Sequence, residues 1–342
     1  PQEGRTYLRL YYHLRKEKAP VPAGHLLGYE EILLKTADNR NKTALKYLGK
    51  SEGMDGEIEI LETDREILCR GKDFTYSLCK QTGLFKQMTY KNREYLNRPM
   101  ELNIWRAPVD NDMYIKKEWK RARYDSTYTK TYDLKVQRKG SDVKISAHIS
   151  VLAESVQPVL TGEISYIIDC DGGIDACIFV KHNKEFPMLP RFGVRLFLKK
   201  ELDEIAYYGM GPYESYRDKH KASLHGLYGG NVMELHEDYI RPQENGSHMD
   251  CDYITVSDDL YGLAAASSNP FSFNASVYTQ EELEKKAHNY QLEPSGSTVL
   301  CLDYAQSGIG SNSCGPELMK EYRLDNEEIT FCMKLTPFAK EQ

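Results

Sequence analysis

Two glutamates and three histidines have side chains that suit acid–base chemistry on a sugar. Glu214 and Glu244 lie in predicted turns between strands. Glycoside hydrolysis needs two carboxylates that flank the scissile bond, one as acid and one as nucleophile or base. A sugar epimerase would instead pair a glutamate with a histidine, for which His225, His236 and His248 are candidates. A solvated or capping role is the alternative for each glutamate.

Tyrosine is heavily used, with 25 residues against 10 phenylalanines and 2 tryptophans. Amphipathic aromatic rings suit half-exposed sheet faces, and they also form sugar-binding surfaces. We therefore predict a candidate sugar-binding face that includes Tyr213, Glu214, Glu244 and His248. An ordinary sheet surface is the alternative interpretation of the same composition.

A second candidate is the segment NIWRAPVDND at residues 103–112. Its proline corner carries Asp110, Asn111 and Asp112, which are too many short polar side chains for a strand. Such side chains hydrogen-bond one another and the nearby backbone in capped loops. We expect Arg106 to pair with Asp110 or Asp112 and to hold the corner rigid.

A third candidate is the loop SGIGSNSCGP at residues 307–316. Its glycines and small polar residues have little packing value, so we expect the loop to line a pocket. No histidine is close in sequence to activate the thiol of Cys314, which argues against a nucleophilic cysteine.

Two tempting motifs fail on spacing. The segment YGMGPYE at residues 208–214 has a glutamate where a dinucleotide fingerprint needs its third glycine, so a tight turn is predicted instead. A calcium loop that begins at Asp110 would place Ile115 and Arg121 where glycine and glutamate are required.

Alternating apolar residues predict the strands that must position these candidates. Val143 to Val151 is apolar at every second residue, as in a half-buried strand. The same alternation occurs at residues 8–14, 164–168, 192–198 and 329–335. Helices are predicted only at 117–123 and at 279–288, where Thr279 and Glu282 form a capping box. Many strands with few helices predict an all-β protein of antiparallel sheets packed as a sandwich.

A polar, turn-rich stretch at residues 36–56 predicts a linker. Residues 1–56 would then hold a partial β domain, because an independent sandwich takes about 100 residues. Residues 57–342 are sufficient for one extended double-sheet sandwich. Because the sequence starts at Pro1 without a methionine, we interpret it as an excised fragment.

Charge and cysteine usage narrow the partners. The net charge of -6 argues against nucleic acid, and the lack of an 18-residue apolar run argues against a membrane span. The eight cysteines are scattered without a CxxC pair, which favours reduced thiols and a cytoplasmic protein.

Five segments together resemble a known series. NIWRAPVDND, YGMGPYESYRDK, YIRPQENGSHMD, PFSFNASVYTQEEL and LDYAQSGIGSNSCGP occur in the order of the C-terminal domain of bacterial β-galactosidases of glycoside hydrolase family 2. AGHLLGYEEILL at residues 23–34 resembles the end of the immunoglobulin-like domain that precedes that domain.

The resemblance implies a fold and a supporting role. The expected fold is a large antiparallel supersandwich, similar to aldose epimerases, after a truncated immunoglobulin-like segment. In the family, the acid and nucleophile glutamates lie in a (β/α)₈ barrel, as does magnesium, with sodium as a second candidate ion. This chain would then contain no catalytic residue and no metal ligand. Its partners would be the barrel and other domains of the same enzyme, a lactose-like β-galactoside cleaved with retention, and other subunits of a homo-oligomer.

The resemblance also assigns the two loops. The corner of Arg106, Asp110, Asn111 and Asp112 would lead into a loop that approaches the barrel mouth. Many members carry a sugar-stacking tryptophan where this sequence has Cys314. A thiol cannot stack on a sugar, so Asn312 and Ser313 would contact hydroxyls beside it. The residues after Asp112 depart from the longer mobile loop of the family, so no opening and closing lid is expected.

Two alternatives stay open. A stand-alone carbohydrate-binding module would use surface tyrosines such as Tyr207, Tyr208, Tyr213 and Tyr216. An enzyme like aldose epimerase would need a histidine and a glutamate that converge on one concave face.

Overall fold

The computed structural model describes residues 5–36, 42–49, 56–310 and 312–340, and antiparallel strands dominate them. It divides into two compact units, Pro1–Lys46 and Tyr47–Gln342. The predicted boundary after residue 56 follows residues 50–55, which lie outside the described residues, so its position stays a prediction. In the described part of the chain, no helix is both long and apolar enough to cross a membrane.

The first unit contains a two-stranded antiparallel sheet of β1 (Arg5–His13) and β2 (Leu26–Thr36), which confirms the strand predicted at residues 8–14. Its assignment to an immunoglobulin-like domain stays a prediction. Helix α1 (Lys42–Leu48) lies inside the stretch predicted as a linker, so the prediction missed this helix. The sequence KTALKYL is rich in the strong helix formers alanine, leucine and lysine, and the polar residues around it concealed this preference.

The second unit begins with a five-stranded antiparallel sheet in which each strand pairs with the next. Its strands are β3 (Glu59–Glu62), β4 (Glu66–Arg70), β5 (Phe74–Cys79), β6 (Leu84–Tyr90) and β7 (Arg93–Glu94). Phe74, Tyr76, Leu78 and Phe85 are buried, so this sheet contributes aromatic residues to the main core.

A twelve-stranded antiparallel sheet forms the rest of the unit. Its strands are β8 (Leu96–Asn103), β9 (Tyr128–Lys139), β10 (Asp142–Leu152), β11 (Leu160–Ile168), β12 (Ile174–His182), β13 (Arg191–Lys199), β14 (Glu204–Gly211), β15 (Leu224–Asn231), β16 (Ser247–Ser257), β17 (Tyr261–Ser276), β18 (Ser297–Gln306) and β19 (Glu328–Ala339). The remaining helices are α2 (Ile115–Arg121) and α3 (Gln280–Lys285).

The long strand β17 divides this sheet into two branches. Tyr261 to Ala266 pair with β19, and Ser272 to Ser276 pair with β18. From β19 the sheet continues through β12, β11 and β10 to β9, whereas from β18 it continues through β13 to β8. Pro270 lies between the two paired stretches, where its missing N–H leaves no ladder bond unmade. The branches confirm the predicted all-β supersandwich.

The predicted alternation is realised in β10. Val143, Ile145, Ala147, Ile149 and Val151 are all buried in the main core. The strands predicted at residues 164–168, 192–198 and 329–335 are likewise confirmed as parts of β11, β13 and β19. β13, by contrast, is buried on both faces over almost its whole length, as expected of a strand in the interior of a sandwich.

Both predicted helices of the second unit form. The Thr279 hydroxyl accepts a hydrogen bond from the Glu282 N–H at 3.1 Å, as a cap requires, although α3 ends at Lys285, before the predicted 288. The turn predicted at residues 208–214 was placed too early. β14 continues to Gly211 because it stays paired with β15, and the turn begins at Pro212.

Cys177 and Cys332 form a disulfide bond, which corrects the expectation that every thiol is reduced. The two residues lie directly opposite each other on β12 and β19. They are 155 residues apart in sequence, so no local spacing pattern could have indicated this pairing.

Candidate functional site

The proline corner after β8 contains a buried ion pair. The Arg106 guanidinium binds the Asp112 carboxylate at two points, with Nη2 to Oδ1 at 2.7 Å and Nε to Oδ2 at 3.2 Å. Arg106 is 0% exposed and Asp112 is 4% exposed. Two parallel charge-assisted bonds fix both position and orientation. Of the two partners predicted for Arg106, the structure selects Asp112.

The corner also bonds to itself. The Val109 N–H donates to Asp112 Oδ2 at 3.0 Å, and the Asp112 N–H donates to the Val109 carbonyl at 2.9 Å, which closes a 3₁₀ turn over Asp110–Asp112. Short aspartate side chains favour such turns, because they reach the backbone two or three residues away. The Asp110 side chain is exposed, and the backbone N–H of Asp110 donates to Gln243 Oε1 at 3.1 Å.

Helix α2 covers the buried cation. Trp119 is fully buried, and its ring centroid lies 5.3 Å from the Arg106 guanidinium carbon, within the range of a cation–π contact. The Trp119 indole N–H donates to the Met188 carbonyl at 2.9 Å, which anchors the helix to the segment before β13. Trp119 thus helps to shield the Arg106 guanidinium from water.

The corner binds the backbone of the glycine-rich loop after β18. The remaining N–H groups of Arg106 donate to the Ser307 carbonyl and, at 3.1 Å, to the Gly308 carbonyl. Asn111 Nδ2 donates to the Ile309 carbonyl at 2.7 Å. Three successive carbonyls of this loop are therefore held by two side chains of the corner.

The opposite edge of the loop binds a residue that the sequence analysis missed. Asp218 accepts the Ile309 N–H through Oδ1 at 2.9 Å and the Gly310 N–H through Oδ2 at 2.7 Å. A Cβ atom at Gly308 would lie 2.5 Å from Asp218 Oδ2, so glycine is required for this approach. The only sequence signals for such a contact were the paired glycines and an aspartate in the YESYRDK segment.

The first two N–H groups of the loop complete its hydrogen bonds. Ser307 donates to the Pro190 carbonyl at 2.9 Å, and Gly308 donates to the Tyr322 carbonyl at 2.8 Å. Every backbone N–H from Ser307 to Gly310 therefore has a protein partner. Side chains from outside the loop, together with the buried Ile309, which packs with Val109 and Tyr216, therefore hold this backbone in one conformation.

A cleft of about 530 Å³, called here the loop cleft, borders this loop. Residues from the corner, α2 and the loop line it, and they include Asn111, Tyr114, Met188, Gly308, Asn312 and Arg323. Ser313 and Cys314 are exposed and lie outside this lining, and residue 311 is outside the described residues. Of the three predicted loop residues, the structure brings Asn312 to the cleft, together with Asn111 of the corner.

A second cleft of about 420 Å³ contains Tyr213, Glu214, Asp218, Lys219 and Tyr239. The Glu214 carboxylate is already occupied, because it accepts bonds from Lys219 Nζ, from the Tyr239 hydroxyl at 2.5 Å and from the Gly246 N–H at 2.9 Å. Tyr213 is 59% exposed. Glu214 is thus a fixed structural anion, whereas the Tyr213 ring is open to solvent.

Glu244 belongs to a buried group, called here the core cluster, which also contains Arg191 and Asp303. Arg191 Nη1 lies 3.2 Å from Glu244 Oε2, and Arg191 binds Asp303 through Nε at 3.2 Å and Nη2 at 2.5 Å. Burial raises the pKa of Glu244 and the pKa of Asp303, and the attraction of Arg191 offsets this only in part. The placement of Glu244 gives no access to a ligand at the surface.

His248 lies in the core as well. It is 1% exposed, and its Nδ1 atom lies 2.9 Å from the Tyr207 hydroxyl oxygen and 3.1 Å from the Met210 carbonyl oxygen. Burial lowers the pKa of His248 to about 4. Tyr213, Glu214, Glu244 and His248 were predicted to share one sugar-binding face, but the structure places the last two in the interior.

The histidine–glutamate pair of an epimerase does not form. His225 bonds to Asp250, and His236 lies 4.0 Å from Asp238. The hydrogen bonds of Glu214 and Glu244 described above go to groups other than histidine. Over residues 5–36, 42–49, 56–310 and 312–340, no group of three or more histidine, cysteine, aspartate or glutamate side chains could hold a metal ion.

Comparison with known proteins gives a family. A family model described as "Beta galactosidase small chain" matches residues 70–335. A β-galactosidase of Actinobacillus pleuropneumoniae is 40% identical over 322 residues, which are 94% of this chain and 31% of that protein. A β-galactosidase of Staphylococcus xylosus is 37% identical over 282 residues, which are 82% of this chain and 28% of that protein. The chain spans less than a third of these relatives.

Two solved structures resemble this chain distantly. A galactose 1-epimerase from Lactobacillus acidophilus has a TM-score of 0.46 and 8% identity, and the match covers 84% of this chain and 100% of that one. An α-mannosidase from Enterococcus faecalis has a TM-score of 0.45 and 8% identity, over 98% of this chain and 36% of that one.

Proposed function

We propose a function from one premise: this chain belongs to the β-galactosidase small-chain family and is the small-chain region of such an enzyme. Its proposed role is to complete the substrate site of a β-galactosidase with a rigid loop. The complete enzyme would hydrolyse terminal β-D-galactosides, such as lactose, by a two-carboxylate retaining mechanism. The acid, the nucleophile and the magnesium ion would lie outside this chain.

One observation supports this role above the others. Arg106 and Asn111 hold three carbonyls of the loop 307–310, and Asp218 holds two of its N–H groups. A loop that only connected two segments would not need this number of charged and polar contacts. Pre-organised loops are what a binding site requires, since ordering them on binding would cost affinity.

The bordering groups fit a polyhydroxylated ligand. Asn111 and Asn312 line the loop cleft and offer amide groups, and Tyr114 offers an aromatic ring. Amides that hydrogen-bond hydroxyls beside an aromatic face form the usual chemistry of a sugar site. We expect Ser313 and Cys314, which are exposed, to face the missing part of the enzyme.

Neither alternative gains support from the geometry. An epimerase needs a histidine–glutamate pair, and both glutamates are committed to other partners. An independent sugar-binding module would need a tyrosine platform, but of the four predicted tyrosines Tyr207 and Tyr216 are buried and only Tyr213 is largely exposed. Homo-oligomerisation is proposed for the complete enzyme on the family resemblance, and a cytoplasmic location on the cysteine usage.

The proposal is tested by Cys314→Trp in the complete β-galactosidase that carries this chain. An aromatic ring at a sugar site is worth about 0.5–1.5 kcal/mol, so KM for a chromogenic galactoside should fall about two- to tenfold. Lys285→Trp is the matched control, since it adds the same ring at an exposed position on α3. If both variants leave KM and kcat unchanged, the loop does not reach the substrate and the proposal is wrong.

A further inference from the structure

We propose that Asp218 is a positioning residue for substrate binding, which acts by fixing the glycine-rich loop on the side opposite Arg106. This inference rests on the function proposed above and names a residue whose role neither the family match nor the resemblance gives. Asp218 would contact the loop backbone and not the sugar itself.

The charges on the two sides of the loop are opposite. The Arg106 cation takes the carbonyl oxygens of Ser307 and Gly308, and the Asp218 anion takes the N–H groups of Ile309 and Gly310. Each charge meets the pole of the peptide dipole that it attracts. The backbone is therefore oriented as well as located, which neither side chain could achieve alone.

The turn that carries Asp218 is itself held in place. It lies in a tight turn in which the Tyr216 N–H donates to the Lys219 carbonyl at 2.8 Å, and the Lys219 N–H donates back to the Tyr216 carbonyl at 3.0 Å. Tyr216 is 2% exposed, and its hydroxyl points to Glu244 Oε1 at 3.5 Å. The turn thus attaches the backbone of Asp218 to the buried core.

Two glycines make the contact sterically possible. A Cβ atom at Gly308 would lie 2.5 Å from Asp218 Oδ2, and one at Gly310 would lie 3.1 Å from the same atom. Real Cβ atoms do not approach an oxygen at 2.5 Å, so an alanine at position 308 would displace the carboxylate. Gly308→Ala and Asp218→Ala should therefore remove the same interaction from its two sides.

The location of Asp218 links the contact to both clefts. Gly308 and Asn312 line the loop cleft, and Asp218 lines the second cleft. If the Asp218 contact is lost, the N–H groups of Ile309 and Gly310 lose their acceptor, Gly308 can shift, and the loop cleft changes shape. Because the loop supplies binding contacts and no reacting group, the change should affect KM more than kcat.

The experiment measures KM and kcat of the complete β-galactosidase with Asp218→Asn. The asparagine keeps one acceptor and places an amide donor against the second N–H. KM should rise about tenfold, which corresponds to about 1.4 kcal/mol, while kcat changes by less than about twofold. Gly308→Ala and Asp218→Ala should each raise KM similarly, and the double variant should add little to either.

Asp258→Asn is the matched control. Asp258 Oδ1 accepts the N–H groups of Leu260 at 2.7 Å and Tyr261 at 2.8 Å, so this aspartate also binds two backbone amides, but in a turn between β16 and β17. The control should lower stability without raising KM. If Asp218→Asn and Asp258→Asn alter kinetics equally, or if kcat falls with KM unchanged, Asp218 has a structural role only and the inference is wrong.

A second readout does not depend on activity. Amide hydrogen exchange at Ile309 and Gly310 should accelerate at least about tenfold in Asp218→Asn and stay unchanged in Asp258→Asn. If Cys314→Trp alters KM but Asp218→Asn alters neither KM nor exchange, the inference fails and the proposed function stands. If exchange accelerates while neither variant alters KM, the proposed function fails and the inference fails with it.

Discussion

Arg106 and Arg191 are both fully buried, and each grips an aspartate at two points, yet they serve different ends. Arg106 hydrogen-bonds one carboxylate, that of Asp112, and donates other N–H groups to carbonyls of the glycine-rich loop. Arg191 instead donates through Nη1 to a second carboxylate, that of Glu244. The same pairing therefore shapes a loop in one place and compensates excess negative charge in the other.

The difference shows how a buried guanidinium acquires a role. A guanidinium has five N–H donors, and one carboxylate accepts only some of them. The acceptors of the other N–H groups determine which further part of the protein the arginine holds in place. Around Arg106 these N–H groups reach main chain beside a cleft. Around Arg191 they reach an anion in the core, where burial raises the pKa of Glu244 and of Asp303.

The largest effects are expected from removing the two cations. Arg106→Met leaves the buried Asp112 without its cation, and Arg191→Met leaves both Asp303 and Glu244 without theirs. Each substitution should therefore lower the free energy of unfolding by about 3–5 kcal/mol in chemical denaturation. Only Arg106→Met should also accelerate hydrogen exchange at Ile309 and Gly310 beyond the global change. Equal exchange at these amides in both variants would erase the contrast between the two arginines.

The next effect concerns His248, beside the core cluster in sequence. Its pKa is about 4 in the folded chain and about 6.5 when unfolded, so the unfolded state binds the proton first. The stability that neutral His248 contributes is present above pH 6.5 and should fall by about 3 kcal/mol as the pH drops to 4. His248→Gln should flatten this decline in urea titrations, and an unchanged pH profile would contradict the burial of this imidazole.

Glu244 should give a smaller effect of opposite sign. Its folded pKa is raised, so its contribution to stability is fully present below the unfolded pKa and is lost as the pH rises through the folded value. Glu244→Gln should therefore reduce the loss of unfolding free energy between pH 4 and pH 7. A variant that loses more stability over this range than the parent would show that Arg191 outweighs burial.

The smallest effect is expected from Asp110→Ala. The Asp110 side chain is exposed and only its backbone bonds to Gln243, so the free energy of unfolding should change by less than about 0.5 kcal/mol. Asp112→Ala strands the buried Arg106 and should cost about 3 kcal/mol or more. Similar costs for the two variants in parallel denaturation curves would mean that Arg106 uses either aspartate.

Strands were predictable where one face is buried. The alternation from Val143 to Val151 predicts which face of the strand is buried, and Thr279 predicts where the helix starts. Both features depend on residues that are close in sequence. Helix α1 was missed because its helix formers lie within a polar segment, where periodicity carries no signal.

The site was predictable only in part. The density of polar residues marked the corner, and it correctly limited the partners of Arg106 to two aspartates. Asp218 lies 91 residues before Ile309, whose backbone N–H it binds. Because every residue type except proline carries such an N–H, the sequence does not indicate which one an aspartate will bind. His248 and Glu244 were misplaced for a related reason, since the burial of each depends on residues that are distant in sequence, such as Tyr207 for His248 and Arg191 for Glu244.

The account holds that this chain supplies a fixed loop to a site whose catalytic groups lie elsewhere. The most direct test is turnover of a chromogenic β-galactoside by the purified chain alone. We predict no hydrolysis above the buffer rate at any pH between 4 and 8. Hydrolysis by this chain alone at about 1–10³ s⁻¹, the range typical of enzymes, would contradict the account.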